Sequence, residues 1–257
     1  MVQIIKVKFA LILISFVCPL IGNACVCSHY KFMEKYVRSD FVARVTIVKN
    51  FPNQDSSLFY KANIVIKQLF KGDKAKSILI EGSSDGKRRT SCDIYFKEGT
   101  EMLVYAQLNG SGQYTFNSCS GYRVLTHSNV LSEVRELEML DFLDQNKIKT
   151  TDKTFYGADL HDKLKKLDYV AVTKTFAIYE ITFANDLHVD SVKTITGFSP
   201  ELDNQLWSIL KEARWVSDRV LIDGSKNAVP MGSKLFFGFY YYPGEGNDPS
   251  FISEWDL

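Results

Sequence analysis

The chain has 257 residues, with 31 basic against 30 acidic side chains and a formal net charge of +1. That balance excludes the strong positive field by which proteins gather nucleic acid or anionic membranes. With 46% hydrophobic residues, including 18 Phe and 13 Tyr, the chain can bury sizeable cores and is long enough for one large domain or two ordinary ones.

Lys6 and Lys8 precede an apolar run over positions 9–22, which leads into Asn23 and Ala24. A charged start, an apolar middle, and small residues at the third-last and last positions predict a secretory signal, residues 1–24, cleaved after Ala24. The run is shorter than the roughly 20 residues of a membrane span. The expectation is an exported protein, secreted or held in the periplasm or cell envelope, with no membrane span after signal removal. Cys18 leaves with the signal. Cys25, Cys27, Cys92 and Cys119 remain, all before residue 120, and an even number in an oxidising compartment reads as two disulfides.

After the cysteine pair, Phe32, Tyr36 and Val37 at helical spacing predict a short helix. Strand-like runs follow at 41–51, 58–72, 76–82, 101–108 and 113–119, separated by the turn clusters PNQDSS, SSDGKRR and NGSG. Five strands with a helix at each end predict a small closed barrel. The second of those helices spans 128–146, with Ser128 as its cap and Leu131, Val134, Leu137, Leu140 and Leu143 on one face.

A polar stretch near 147–156 reads as a linker. Beyond it, Leu160, Leu164 and Leu167 lie along a helix face, and residues 175–183 and 188–196 form a hairpin about ANDL. Ser199 and Pro200 open a further helix, and SKLFFGFYYY at 233–242 reads as a strand with one buried face. Trp207 and Trp215 read as core, and a Pro/Gly-rich tail follows the last strand. This order predicts a small α+β sandwich. The expected organisation is thus β + α/β and two-domain: a barrel domain over 25–146, the linker over 147–156, and an α+β domain over 157–257.

Residues 25 to about 125 resemble the N-terminal domain of the tissue inhibitors of metalloproteinases, the netrin-like version of an OB-like barrel. The likeness rests on CVC directly after the signal, the helix behind it, YKANIVIKQLFKG, TSCDIYFKEGTEMLVYAQL and YTFNSCSGY. Residues from about 168 to 242 resemble the C-terminal domain of TonB-type energy-transducing proteins. The matching pieces are YEITFANDLHVDSVKTITG, ELDNQLWSILKEARW and VPMGSKLFFGFYY, although Val216 stands where that family usually has proline. The second resemblance implies a shared binding fold rather than energy transduction. Together the two suit a bacterial envelope or secreted protein.

The inhibitor resemblance implies the pairs Cys25–Cys92 and Cys27–Cys119. Closing loops this long stabilises by roughly 4 kcal/mol each on the chain-entropy estimate. The resemblance also implies a use for the rigid terminus. The α-amine of Cys25, with a reference pKa near about 8, and the carbonyl of the same residue would displace the water from the open position of a protease's catalytic zinc. Cys25 is then a metal ligand in trans, and the chain needs no cofactor of its own. Val26 matches the side chain that enters the protease's specificity pocket, and Ser28 and His29 continue the wedge. Thr90, Ser91 and Cys92 match the neighbouring loop, while Asp93 stands where the family usually has glycine.

Other features have plainer readings. The histidines at 29, 127, 161 and 188 show no metalloprotease spacing, and the chain has neither a nucleophile elbow nor a phosphate loop. The expectation is a protein that is not an enzyme. Lys87, Arg88 and Arg89 form a short basic loop. Asn109 opens an NGS triplet that fits a glycosylation acceptor, although its place between two strands reads as a hairpin turn. Two functions are carried forward. One is inhibition of a zinc metalloprotease through Cys25. The other is a non-inhibitory envelope binding module whose C-terminal half docks another envelope or extracellular protein, with anchoring by acylation of Cys25 as a variant that Gly22 disfavours.

Overall fold

The computed structural model of the chain describes residues 25, 27, 30–54, 57–126, 130–148, 156–217 and 230–256. The predicted signal, the Ser128 cap, most of the linker and residues 218–229 lie outside the described residues. Helix α1, Phe32–Arg38, leads into β1, Phe41–Phe51, and β2, Phe59–Lys71. Strands β3, Ser77–Glu81, β4, Glu101–Leu108, and β5, Tyr114–Phe116, follow, and β6, Arg123–Val124, is a short addition that the sequence reading does not contain.

The five predicted strands form a closed barrel. β1 pairs antiparallel with both β2 and β4, and the ring is completed by β2–β3, a parallel β3–β5 contact and β4–β5. One strand serves two neighbours because it coils, and the β1–β2 register shifts at three places along β1. Such irregularities add the bend that a small barrel needs. Phe41, Ala43, Val45 and Ile47 point inward from β1 and meet Met102, Val104 and Ala106 from β4. The alternate residues of β4, Leu103 and Tyr105, are buried as well, against α1 and the helix α2, Leu131–Gln145.

That helix corrects an expectation. Leu131 and Val134 are exposed, and the buried positions of α2 are Glu133, Arg135, Glu136, Met139, Leu140 and Leu143. Its first half buries charge rather than leucine because oppositely charged partners wait there. Glu136 accepts hydrogen bonds from the Tyr105 hydroxyl at 2.6 Å and Lys35 Nζ at 2.9 Å, and also from Arg123 Nε. Arg135 reaches Asp256 at 2.8 Å and the Tyr241 carbonyl at 3.1 Å, with the Tyr242 ring 4.6 Å from its guanidinium.

The second half begins with β7, Tyr156–Gly157, then α3, His161–Leu164, and a 3-10 turn over Lys165–Leu167. Leu160, Leu164 and Leu167 are all buried, as their spacing predicts. The hairpin forms as β8, Phe176–Phe183, and β9, Val189–Thr196. Ser199 then caps α4, Pro200–Glu212, by accepting from the Leu202 N–H at 3.3 Å, with Pro200 in the first turn. β10, Val216–Ser217, pairs with β7; β11, Ser233–Tyr242, returns along β8; and β12, Phe251–Ser253, adds to the other side of β11. The sheet order is β12-β11-β8-β9.

β11 differs from the expected strand with one buried face, because every residue from Leu235 to Tyr241 is buried. On one face Leu235, Phe237, Phe239 and Tyr241 join Leu202, Leu206, Leu210 and Trp215. On the other, Phe236 and Tyr240 join Ile178 from β8, Met139 and Leu140 from α2, and Met33 from α1. Gly238 sits where the sheet meets these helices: a Cβ there would touch the Met139 methyl at 3.4 Å. The shared cluster fastens the C-terminal sheet to the barrel and its helices. Trp215 is core as read from the sequence, whereas Trp207 is half-buried and donates from Nε1 to Thr194 Oγ1 at 3.0 Å.

Candidate functional site: the disulfide-pinned cysteine pair

Two loops of the barrel rim receive the cysteine pair. Cys25 is bonded to Cys92 with their Cα atoms 5.1 Å apart, and Cys27 to Cys119 at 5.0 Å. The loop carrying Cys92 is organised by Asp93, which is buried although its neighbours Thr90 and Ser91 are exposed. Its carboxylate accepts from the Arg89 N–H at 2.7 Å and from the Thr90 hydroxyl. Thr90 Oγ1 in turn accepts from the Cys92 N–H at 3.2 Å. Burial by itself would raise the Asp93 carboxyl, but the bonds from the Thr90 hydroxyl and the Arg89 and Thr90 amides outweigh it and hold it below the usual carboxylate range.

This resolves the departure at Asp93. Its φ is not positive, so the backbone there does not require glycine. The carboxylate instead ties Arg89, Thr90 and Cys92 into one turn, supplying acceptors that a glycine lacks.

The loop carrying Cys119 is built the same way by an amide. Asn117 Oδ1 accepts from the Cys119 N–H at 2.9 Å and the Ser120 hydroxyl at 3.1 Å, an Asx-type turn. Gly121 follows with φ +80, and a Cβ there would lie 2.5 Å from the Lys35 chain on its way to Glu136. Glycine at that position therefore links the rim loop to the buried charge cluster beneath it.

Between the loops, the Cys25 N–H donates to Ser91 Oγ at 2.9 Å, and Ser118 Oγ lies 3.2 Å from Cys25 Sγ. The sulfurs of Cys25, Cys27 and Cys119 fall within 4.8 Å of one another, forming the one group of metal-ligating side chains gathered this closely among the described residues. All three are committed to disulfides, so they offer no thiolate. Of the residues expected to form a ridge, the fold brings together Cys25, Cys27, Thr90, Ser91 and Cys92; Val26, Ser28 and His29 lie outside the described residues. The sequence reading missed Ser118 and Asn117. A turn-forming run of Asn, Ser, Cys and Ser at 117–120 was the available signal.

The surroundings are basic. Lys87, Arg88 and Arg89 are exposed beside the ridge, and Lys87 approaches Asp85 only at 3.6 Å with both side chains largely in solvent, a contact of little worth. On the far rim, Asn109 is a hairpin residue whose Oδ1 accepts from the N–H groups of Ser111 and Gln113 at 3.0 and 2.9 Å. No helix among the described residues is long and apolar enough to cross a membrane. Comparison with models of protein families gives no match, and comparison with curated proteins gives none either.

Proposed function

We propose that the protein is an exported inhibitor of zinc metalloproteases that acts through its disulfide-pinned terminus. The observation that carries this reading is the pair of bonds Cys25–Cys92 and Cys27–Cys119, which fasten residues 25 and 27 to two barrel loops at once. A chain end held in this way loses little conformational freedom when it enters an active-site cleft, and binding strengthens as that cost falls.

The chemistry follows from the atoms at residue 25. After cleavage behind Ala24 the nitrogen of Cys25 is an α-amine, partly neutral near its reference pKa of about 8. The Cys25 amine and carbonyl oxygen would serve as ligands to a partner's catalytic zinc in place of its bound water. Ser91 Oγ, 2.9 Å from that nitrogen, orients the amine. Val26 would enter the specificity pocket, and Ser28, His29 and Thr90 would flank it. The C-terminal half, with its resemblance to TonB-type binding domains, braces the barrel through the shared core and serves as an adaptor toward other envelope or extracellular proteins.

The test is inhibition of a panel of zinc metalloproteases by protein beginning at Cys25 and by the same protein with one added alanine in front. Acylating the nitrogen as an amide removes its lone pair, so inhibition should fall by at least 100-fold, on the order of 3 kcal/mol. Equal inhibition constants for the two forms would sink the zinc-binding mechanism.

A further inference from the structure

A cleft of about 800 Å³ runs along the outer edge of β12. Leu164, Pro249, Phe251 and Trp255 give it apolar walls. Asp159, Asp168 and Asp248 stand on its rim, and among the described residues none of the three makes an ion pair. The opposing cationic side chains are Lys165 and, when protonated, His161. Glu254, also in the lining, is already neutralised by Lys31 at 2.6 Å. The rim therefore carries an excess of uncompensated negative charge over an apolar floor.

The backbone adds a second demand. Along an antiparallel strand the N–H and C=O of each residue point to one side together and alternate from residue to residue. The Tyr241 N–H donates to the Thr175 carbonyl at 2.9 Å, on the β8 side, so Tyr240 and Tyr242 face β12 through their partners Ser253 and Phe251. Ile252 must then aim its N–H and C=O away from the sheet. Ser250, of the same parity, has its outward carbonyl taken by the Tyr169 N–H at 2.9 Å. Tyr169 holds a left-handed φ of 68° to do so, unusual for an aromatic residue. Nothing described takes the outward pair of Ile252, a residue only 4% exposed. The Ile252 side chain fills the sheet core while the residue also lines the cleft, so this edge pair offers a place for a ligand that brings its own peptide group.

We infer that this cleft binds an extended, basic peptide segment, which pairs its backbone with Ile252, lays apolar side chains between Leu164 and Trp255, and sets lysine or arginine against Asp159, Asp168 and Asp248. The pairing is strand addition, with main-chain bonds giving affinity and alternate side chains giving selectivity. It is independent of the zinc reading, because the four disulfide-bonded cysteines are not among the residues that line the cleft.

Calorimetric titration of the intact protein with a capped pentapeptide alternating valine with arginine and lysine tests the inference. Controls are the same peptide with glutamate and aspartate in place of the basic residues, the basic peptide with its central nitrogen methylated, and arginine amide alone. The basic peptide should bind saturably, and the double variant Asp168→Asn, Asp248→Asn, at exposed or half-exposed positions that leave the fold intact, should weaken it by about fivefold. Methylating the central nitrogen should weaken it further. The inference is overturned if the basic peptide fails to bind at millimolar concentration, if the acidic peptide binds as well, if the double variant is unaffected, or if arginine amide binds as tightly as the peptide.

Discussion

The barrel and the C-terminal sheet close their cores by different means. The barrel packs aliphatic residues with rings such as Phe41 on Tyr114 at 4.7 Å and Phe96 on Tyr122 at 4.9 Å, and adds two disulfides that tie its rim to residues 25 and 27. The sheet contains no cysteine and depends on large rings: Trp215 meets Phe183 and Phe237 at centroid distances of 5.4 and 5.5 Å, and Tyr179 meets Phe239 at 5.8 Å. Its helix is held from the side by Asp203, which accepts from the Tyr179 hydroxyl at 2.7 Å and the Phe198 N–H at 2.9 Å. Covalent closure is thus added to packing in the first half, whereas the cysteine-free second half is held by packing and hydrogen bonds alone. The two meet over a seam that is apolar at Met139, Ile178 and Tyr240 and ionic at Arg135, which reaches Asp256.

Cutting the covalent part should separate the halves most strongly. Replacing Cys27 and Cys119 together by alanine should cost about 4 kcal/mol on the chain-entropy estimate. The denaturant midpoint followed by barrel signals should fall, and reductant should reproduce the loss in the wild-type protein and leave the variant less affected. An unchanged midpoint would show that packing alone closes the rim.

The buried charge cluster on the barrel side of the seam comes next. Glu136→Gln removes the charge that Lys35 and Arg123 face in the buried cluster and should cost about 3 kcal/mol, a value set by leaving buried cations without their counter-charge. Burial alone would raise the Glu136 carboxyl, but Lys35 and then Arg123, with the hydrogen bond from Tyr105, hold it below its usual value of 4.5. A lowered folded pKa means that its contribution is complete above 4.5 and disappears as the pH falls below it. The stability difference between wild type and Glu136→Gln, measured by urea unfolding across acid pH, should therefore shrink toward low pH. A difference independent of pH would mean that Glu136 acts only by its shape.

The smallest effect belongs to the sheet alone. Ser199→Ala removes the cap of α4 and should cost about 1 kcal/mol. Hydrogen exchange should show the loss in residues 200–212 while the barrel amides keep their protection. Loss of protection in both halves would mean that α4 is coupled to the barrel through the seam.

Much of this architecture was legible in local patterns. β1 and β4 have the bounds predicted for them because alternation ends at strong turn residues, and α4 begins at Ser199 and Pro200 because the cap and the proline each favour a first turn. The short pairings β6 and β12 were not legible, since two or three residues carry no period and are strands only where a neighbour offers an edge. At the site, the cysteines stood out by their spacing, and the two bonds observed are the pairs that the inhibitor resemblance implies. The roles of Asp93, Asn117 and Ser118 depend on loops that fold back on themselves, which leaves no periodic trace. The cleft beside Ile252 was equally hidden, because it is assembled from α3, the turn after it and the tail.

The sequence by itself determined the elements with clear period or capping, the clustering of four cysteines between residues 25 and 119, and the near balance of charge. Those properties depend on near neighbours in the chain. Tertiary structure alone decided that α2 buries Glu136 and Arg135 instead of Leu131 and Val134, and that β11 is covered on both faces. Burying charge is tolerable only where distant residues such as Lys35, Arg123 and Asp256 supply the opposite sign, and a strand has two buried faces only when a second layer arrives from elsewhere in the chain.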